Sequence, residues 1–138
     1  MQILIVDDDR AARYALSEML SDLPAQLVLA ESGEEALRQM LRQDFALVLL
    51  DVRLPKMDGF EVAAAIRSLE RLRRTPIVFM SANEDRRRQP RAGADPYFRK
   101  PLVPELLRST IVSILARGAL APFRSAADPQ RPAIQGRA

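Results

Sequence analysis

The chain has 138 residues, of which 48% are apolar and 28% charged, and its formal net charge is +3. This length suits one domain with a buried core, and the apolar fraction is too high for an intrinsically disordered protein. The absence of Cys and His excludes disulfides, thiol nucleophiles, the usual zinc sites and histidine acid–base chemistry.

Short apolar runs predict four strands, at residues 3–6, 27–30, 45–50 and 77–80. The runs lack polar alternation, which is typical of parallel strands covered on both faces. Between the runs, apolar residues recur at helical spacing. The three stripes are Ala12, Ala15, Leu16, Met19 and Leu20; Ala36, Leu37, Met40 and Leu41; and Phe60, Val62, Ala63, Ile66 and Leu69. The alternation of strand and helix predicts an α/β fold with helices on both faces of the sheet.

After the fourth predicted strand, the pattern of apolar residues is less regular. A fifth strand is predicted near Tyr97–Arg99, at the sheet edge because Pro96 precedes it. A final helix is predicted from about Pro104 to Ala116, since Pro fits the first helical position. The ten residues 83–92 have almost no apolar stripe and include Pro90. They predict a short or irregular helix between the fourth and fifth strands.

The carboxyl-terminal segment differs in composition from the rest. Residues 118–138 contain three prolines and show no helical period, so we expect one folded domain at 1–117 and a disordered tail or linker at 118–138. The net charge of +3 lies entirely in residues 117–138, which hold four Arg and one Asp. Neither a membrane span nor a signal peptide is recognisable, so we expect a soluble, cytoplasmic protein.

Polar residues directly follow the predicted strands. Asp7 and Asp8 follow the first strand, Asp51 the third, Ser81 the fourth and Lys100 the fifth. The carboxyl ends of parallel strands meet at one edge, where ligands bind. Three adjacent carboxylates need a cation, and oxygen ligands favour Mg²⁺ or Mn²⁺. A carboxylate can also accept a phosphoryl group, while lysine and serine neutralise or hydrogen-bond its oxygens.

These motifs resemble the receiver domains of response regulators, the CheY-like family of two-component signalling. The matching pieces lie in the family's order over residues 2 to about 117. They are Asp7-Asp8 after a strand, the run from Asp51 to Gly59, the pair Ser81-Ala82, and the run from Gly93 to Pro101. The resemblance implies a flavodoxin-like (βα)5 fold with a five-stranded parallel sheet of order 2-1-3-4-5.

The resemblance also implies an acidic metal site. Asp51 corresponds to the phosphoacceptor, and Asp8 to a direct Mg²⁺ ligand. Asp7 corresponds to an acidic partner that acts largely through water. The main-chain carbonyl of Arg53 takes the place of the third protein ligand.

A second set of residues is implied to sense the phosphoryl group. Ser81 and Lys100 correspond to the hydroxyl and the lysine that contact it. Tyr97 corresponds to the aromatic residue whose rotamer reports the phosphorylated state. The Lys100–Pro101 bond is expected to be cis, as in relatives.

The implied function is a switch. A sensor histidine kinase or phosphotransfer protein would supply the phosphoryl group, and a downstream protein or a fused output domain would read it. The chain would not be an enzyme for an external substrate, since it would catalyse only its own phosphorylation and dephosphorylation. No membrane or nucleic-acid partner is expected for this chain alone, and the choice between a monomer and a phosphorylation-dependent dimer stays open.

The sequence is also compatible with other functions. A phosphorylation-independent interaction module would dock through Arg86–Arg88 and Arg91, and a nucleic-acid binder would use the same arginines. A metal-dependent phosphatase is disfavoured because Arg53 stands where a second carboxylate would be needed. At single positions, Asp9 is read as a helix cap and Asp58-Gly59 as the turn that introduces the third helix.

Overall fold

A computed structural model describes residues 1–82 and 96–120 of the chain. The strands are β1 (Gln2–Val6), β2 (Gln26–Ala30), β3 (Leu47–Asp51), β4 (Ile77–Ser81) and β5 (Tyr97–Arg99). They form one sheet of order β2-β1-β3-β4-β5 in which every neighbouring pair is parallel. The predicted flavodoxin-like topology is therefore confirmed.

In the described part of the chain, four α-helices connect or follow the strands. They are α1 (Arg10–Met19), α2 (Gly33–Arg42), α3 (Gly59–Ser68), which is followed by a 3₁₀ turn at Glu70–Leu72, and α4 (Pro104–Leu120). Among the described residues, no helix combines the length and the apolar composition that crossing a membrane requires. The predicted helix between the fourth and fifth strands lies outside the described residues, as do residues 121–138 of the predicted tail.

Several element boundaries differ from the sequence prediction: β1 and β2 each begin one residue earlier, and β4 ends one residue later. β3 begins at Leu47 rather than at residue 45 and includes Asp51. α4 continues to Leu120 instead of ending near Ala116. The helix passes through Gly118, and glycine has a weak helix propensity, which is why the sequence indicated an earlier end.

The core consists of two apolar layers, one on each face of the sheet. In β3, Leu47 and Leu49 pack on α1 and α4, whereas Val48 and Leu50 pack on α2 and α3. All four side chains are fully buried. Burial stabilises the fold by about 1.5–3 kcal/mol for each such side chain, so this central strand anchors both layers.

Three members of the predicted stripes do not join the core. Ala15, Leu41 and Leu69 are exposed. Ala15 and Leu41 lie at the margins of their apolar stripes, where the helix surface turns away from the sheet. Leu69 lies just beyond the end of α3, where the backbone has become extended.

Three helices, α1, α2 and α3, begin with side-chain caps. Asp9 caps α1 by accepting a hydrogen bond from the N–H of Ala11. Asp58 caps α3 and forms a reciprocal capping box with Glu61, both hydrogen bonds being 2.9 Å long. The cap prediction for Asp9 and the turn prediction at Asp58-Gly59 are confirmed.

Candidate active site at the carboxyl edge of the sheet

Asp7 is the first residue after β1, and backbone contacts fix it. Its N–H donates to the carbonyl of Ala30, 3.1 Å away, and extends the β1–β2 pairing. Its carboxylate Oδ1 accepts from the N–H of Asp9 at 2.9 Å, and its carbonyl accepts from Nη1 of Arg13 at 2.7 Å. The Asp7 side chain is fully buried, whereas the adjacent Asp8 is exposed.

Asp51 ends β3 and is only 5% exposed. Its Oδ1 accepts a hydrogen bond from the N–H of Arg53 at 3.2 Å. The chain then folds back closely, because the N–H of Gly59 donates to the carbonyl of Val52 at 2.8 Å. A Cβ on Gly59 would lie 2.4 Å from the carbonyl oxygen of Asp51, so the start of α3 can approach this strand end only with glycine.

Lys100 follows the edge strand β5, and its side chain extends to the acidic residues. Its N–H donates to the carbonyl of Ser81 at 2.8 Å, which fixes it directly after β5. Its Nζ lies 3.0 Å from Oδ2 of Asp7 and 3.4 Å from Oδ2 of Asp51. The peptide bond between Lys100 and Pro101 is cis.

The three predicted acidic residues form one cluster. Asp7, Asp8 and Asp51 each offer a carboxylate oxygen, and these three oxygens lie within 4.8 Å of one another. Ionised, they carry three negative charges against the one positive charge of Lys100. The cluster therefore has the charge and the oxygen chemistry that suit a divalent cation such as Mg²⁺.

The surroundings change the proton affinities of this cluster. Burial, and next the charge of Asp7, raise the pKa of Asp51 to about 6, although Lys100 and the N–H of Arg53 oppose part of the rise. Burial acts to lower the pKa of Lys100, but its hydrogen bond to Asp7 and its attraction to Asp51 and Asp7 prevail, so the pKa is raised. Lys100 is thus held as a cation against two carboxylates.

The other predicted residues lie on β4, on β5 and in the loop after β3. Ser81 ends β4, is fully buried and pairs with Arg99 in the sheet register. Tyr97 is half-buried on β5, its ring centroid 6.4 Å from that of Phe79. Arg53, in the loop after β3, is exposed.

Two structural features of the site have no clear signal in the sequence. Arg13 holds the main chain of Asp7 through the carbonyl oxygen, a contact that any long side chain with an N–H donor on the first turn of α1 could make. Lys56, in the loop between β3 and α3, has a φ of 68°, which an L-residue with a Cβ adopts only at a cost. The arginine-rich stretch at Arg86–Arg88 and Arg91 lies outside the described residues.

Comparisons with known proteins place this arrangement in context. A family model for the response regulator receiver domain matches residues 3–112. The chain is 38% identical over 112 residues to an uncharacterized 14.6 kDa protein from the sodA1 3′ region of Leptolyngbya boryana, covering 78% of this chain and 86% of that protein. It is also 38% identical over 120 residues to the response regulator MprA of Mycobacterium leprae, covering 85% of this chain and 52% of MprA. The chain thus spans about half the length of that regulator.

A solved structure shows the same likeness. The response regulator protein TrrA of Thermotoga maritima, crystallised in complex with Mg²⁺–BeF, superposes with a TM-score of 0.73 at 30% identity. The match covers 82% of this chain and 97% of TrrA.

Proposed function

Because the chain belongs to the response regulator receiver domain family, whose members act in phosphorylation-based signalling, we propose that Asp51 accepts a phosphoryl group with the help of Mg²⁺. The donor would be the phosphohistidine of a sensor kinase or of a phosphotransfer protein. The observation that carries this proposal is the position of Asp51, which is buried, contacted by Lys100 and grouped with two further carboxylates.

The residues of the site fit a magnesium ion. Asp8 and Asp51 would bind it directly, Asp7 largely through water, and the carbonyl of Arg53 would complete the protein ligands. The excess negative charge of the cluster supports a divalent ion, and the Mg²⁺ in the TrrA complex supports the same choice. When bound, Mg²⁺ would supply positive charge that offsets the charge on the phosphoryl oxygens.

The proposed transfer uses the side chains already described. A carboxylate oxygen of Asp51 attacks phosphorus, the P–N bond to the donor imidazole breaks, and the electron pair stays on the imidazole nitrogen. The product is an acyl phosphate on Asp51. Lys100 neutralises one phosphoryl oxygen and the Ser81 hydroxyl donates to another.

The switch and its reversal use the same residues. Binding of Ser81 to the phosphoryl group would change the space beside β4 and β5, where Tyr97 packs next to Phe79. Tyr97 would then change rotamer and report the state to a downstream protein or to a fused output domain. Attack of water on the acyl phosphate would reset the chain, whose only chemistry is its own phosphorylation and dephosphorylation. We assign this activity to residues 1–117.

The proposal is tested by incubating the protein with Mg²⁺ and phosphoramidate or acetyl phosphate and measuring its intact mass. We expect an acid-stable, base-labile phosphoryl adduct that requires Mg²⁺ and is absent from Asp51→Asn. Asp9→Asn is the matched control, because Asp9 caps α1 at the same edge and Asn caps equally well. An unmodified wild type, or an adduct that persists in Asp51→Asn, would disprove the proposal.

A further inference from the structure

A second concave region lies at the opposite end of the sheet from Asp51. It is a cavity of about 1140 Å³ beside the amino ends of the strands, and its lining includes Gln2, Gln26, Ala46 and Ile77. Ala46 and Asp51 are five residues apart on an extended strand, which separates the two regions by roughly 16 Å. The cavity is therefore distinct from the acidic cluster.

The lining combines an apolar floor with a cationic rim. Phe45, Leu72 and Ile114 belong to the floor and are buried in the core. The charged residues among the described lining residues are four arginines and one aspartate, namely Arg67, Arg71, Arg74, Arg117 and Asp44. The rim thus has an excess of three positive charges, whereas the carboxyl edge is acidic.

Two of the four arginines have structural partners. Arg67 donates through Nη1 to the carbonyls of Thr75 and Arg73, at 2.7 and 2.8 Å. Arg71 donates to the carboxylate of Asp44 at 2.6 Å and to the carbonyl of Met40 at the end of α2. Arginines that satisfy carbonyls near helix ends are a common means of stabilisation, so these two side chains shape the cavity wall.

The other two arginines are available for an external ligand. Arg74 and Arg117 are exposed, and within residues 1–82 and 96–120 no hydrogen bond or ion pair engages either side chain. They come from different parts of the chain, the turn before β4 and the last turns of α4, and they line the same cavity. Two unpaired guanidinium groups beside an apolar floor complement a ligand that carries both carboxylates and an apolar side chain.

We propose that this cavity binds an acidic peptide segment of a partner protein, with an apolar side chain on the floor and carboxylates on Arg74 and Arg117. The cavity volume exceeds the range of roughly 300–1000 Å³ typical of small-molecule sites, which favours a peptide. Nucleic acid is disfavoured because Phe45 is the single aromatic among the described lining residues, whereas strand binding uses successive aromatic side chains for base stacking. Residues 121–138 of this chain do not match the acidic segment that the cavity would bind, since they contain three Arg and a single Asp.

The test uses the full chain and dye-labelled peptides of about 12 residues, a length typical of groove-bound segments, with Glu on both sides of a Leu-Phe pair. Fluorescence anisotropy should detect binding that weakens with added salt, and peptides with Gln in place of Glu should not bind. Arg74→Glu and Arg117→Glu should each weaken binding about fivefold, as expected for an exposed ion pair replaced by repulsion. Arg38→Glu reverses the charge of an exposed residue on α2 outside the cavity, and this variant should bind the peptide like the wild type.

Four results would overturn the proposal. They are no binding of the acidic peptides, equal weakening by Arg38→Glu, displacement of the peptide by a single-stranded oligonucleotide of the same length, and self-association of the wild type that Arg74→Glu abolishes. The last would identify a second copy of this chain as the occupant. Unfolding midpoints equal to that of the wild type would show that the variants at these exposed positions are folded.

Discussion

The Asp51 carboxylate is costly to ionise in the folded chain when no metal is bound. Its pKa is about 6, against an ordinary value of 3.8, so the folded state binds this proton more tightly than the unfolded state does. Ionisation of Asp51 therefore destabilises the fold. The cost is absent below the unfolded pKa and is fully present above the folded one.

Asp51→Asn should consequently stabilise the metal-free protein. In EDTA at pH 7.5 we expect the free energy of unfolding to rise by about 2–3 kcal/mol, from a pKa difference of about two units. The gain should shrink as the pH is lowered through 6 and be small at pH 4, close to the unfolded pKa of 3.8. Urea unfolding at the two pH values measures it. A variant no more stable than the wild type at pH 7.5 would contradict the raised pKa.

The backbone conformation of Lys56 is unfavourable. Its φ of 68° lies in the left-handed region, where a Cβ is unfavourable. Lys56→Gly should relieve this strain and raise the free energy of unfolding by about 0.5–1 kcal/mol, the part of the relief that remains after the entropy cost of glycine. Lys56→Ala keeps the Cβ and serves as the control, with no gain expected. An equal gain in both variants would show that the backbone is not strained at this position.

At the scale of elements, the close packing of α3 against the end of β3 determines where the Asp51 backbone lies. A Cβ on Gly59 would meet the Asp51 carbonyl oxygen at 2.4 Å and Cα of Val52 at 2.8 Å. Both contacts are with backbone, which cannot move away as a flexible side chain can. Gly59→Ala should therefore destabilise the fold by about 1–3 kcal/mol, the usual cost of overpacking, and slow the modification of Asp51.

Gly118 provides the matched control for Gly59. It lies in α4, and a Cβ there would meet nothing within 4 Å. Gly118→Ala should stabilise the fold by up to about 1 kcal/mol through helix propensity and leave the modification of Asp51 unchanged. Thermal unfolding of both variants compares the two effects, and a tolerated Gly59→Ala would refute the close contact.

The elements show which structural features the sequence could and could not predict. Fully apolar runs identified four strands because a parallel sheet covered on both faces leaves no polar side. Strand ends then predicted that Asp7, Asp51 and Lys100 would meet at one edge. The contact between Gly59 and Asp51 depends on how α3 packs in three dimensions, and the bond from Arg13 to the Asp7 carbonyl is not encoded by a residue-type pattern. Neither was predictable from spacing.

For the whole molecule, the acidic edge links metal binding to stability. A ligand that binds only the folded state stabilises it, by about 2.7 kcal/mol at a concentration one hundred times its Kd. Added Mg²⁺ should therefore raise the unfolding midpoint of the wild type, and protonation of Asp51 below pH 6 should reduce this gain.

Because Asp8 is exposed, its substitution separates stabilisation by Mg²⁺ from folding itself. Asp8→Asn should leave the fold intact in EDTA and lose most of the stabilisation by Mg²⁺. Asp9→Asn should retain that stabilisation, because Asp9 acts as a helix cap. Thermal unfolding with and without Mg²⁺ distinguishes the two variants, and an equal response of both would exclude Asp8 as a ligand.

We propose that a single carboxylate, that of Asp51, accepts the phosphoryl group. Borohydride reduces an acyl phosphate to an alcohol and so converts the phosphorylated aspartate into homoserine, which peptide sequencing by mass spectrometry can locate. After treatment with phosphoramidate and Mg²⁺, we predict homoserine at position 51 and at no other aspartate. Homoserine at Asp7 or Asp8, or no conversion at all, would contradict the account.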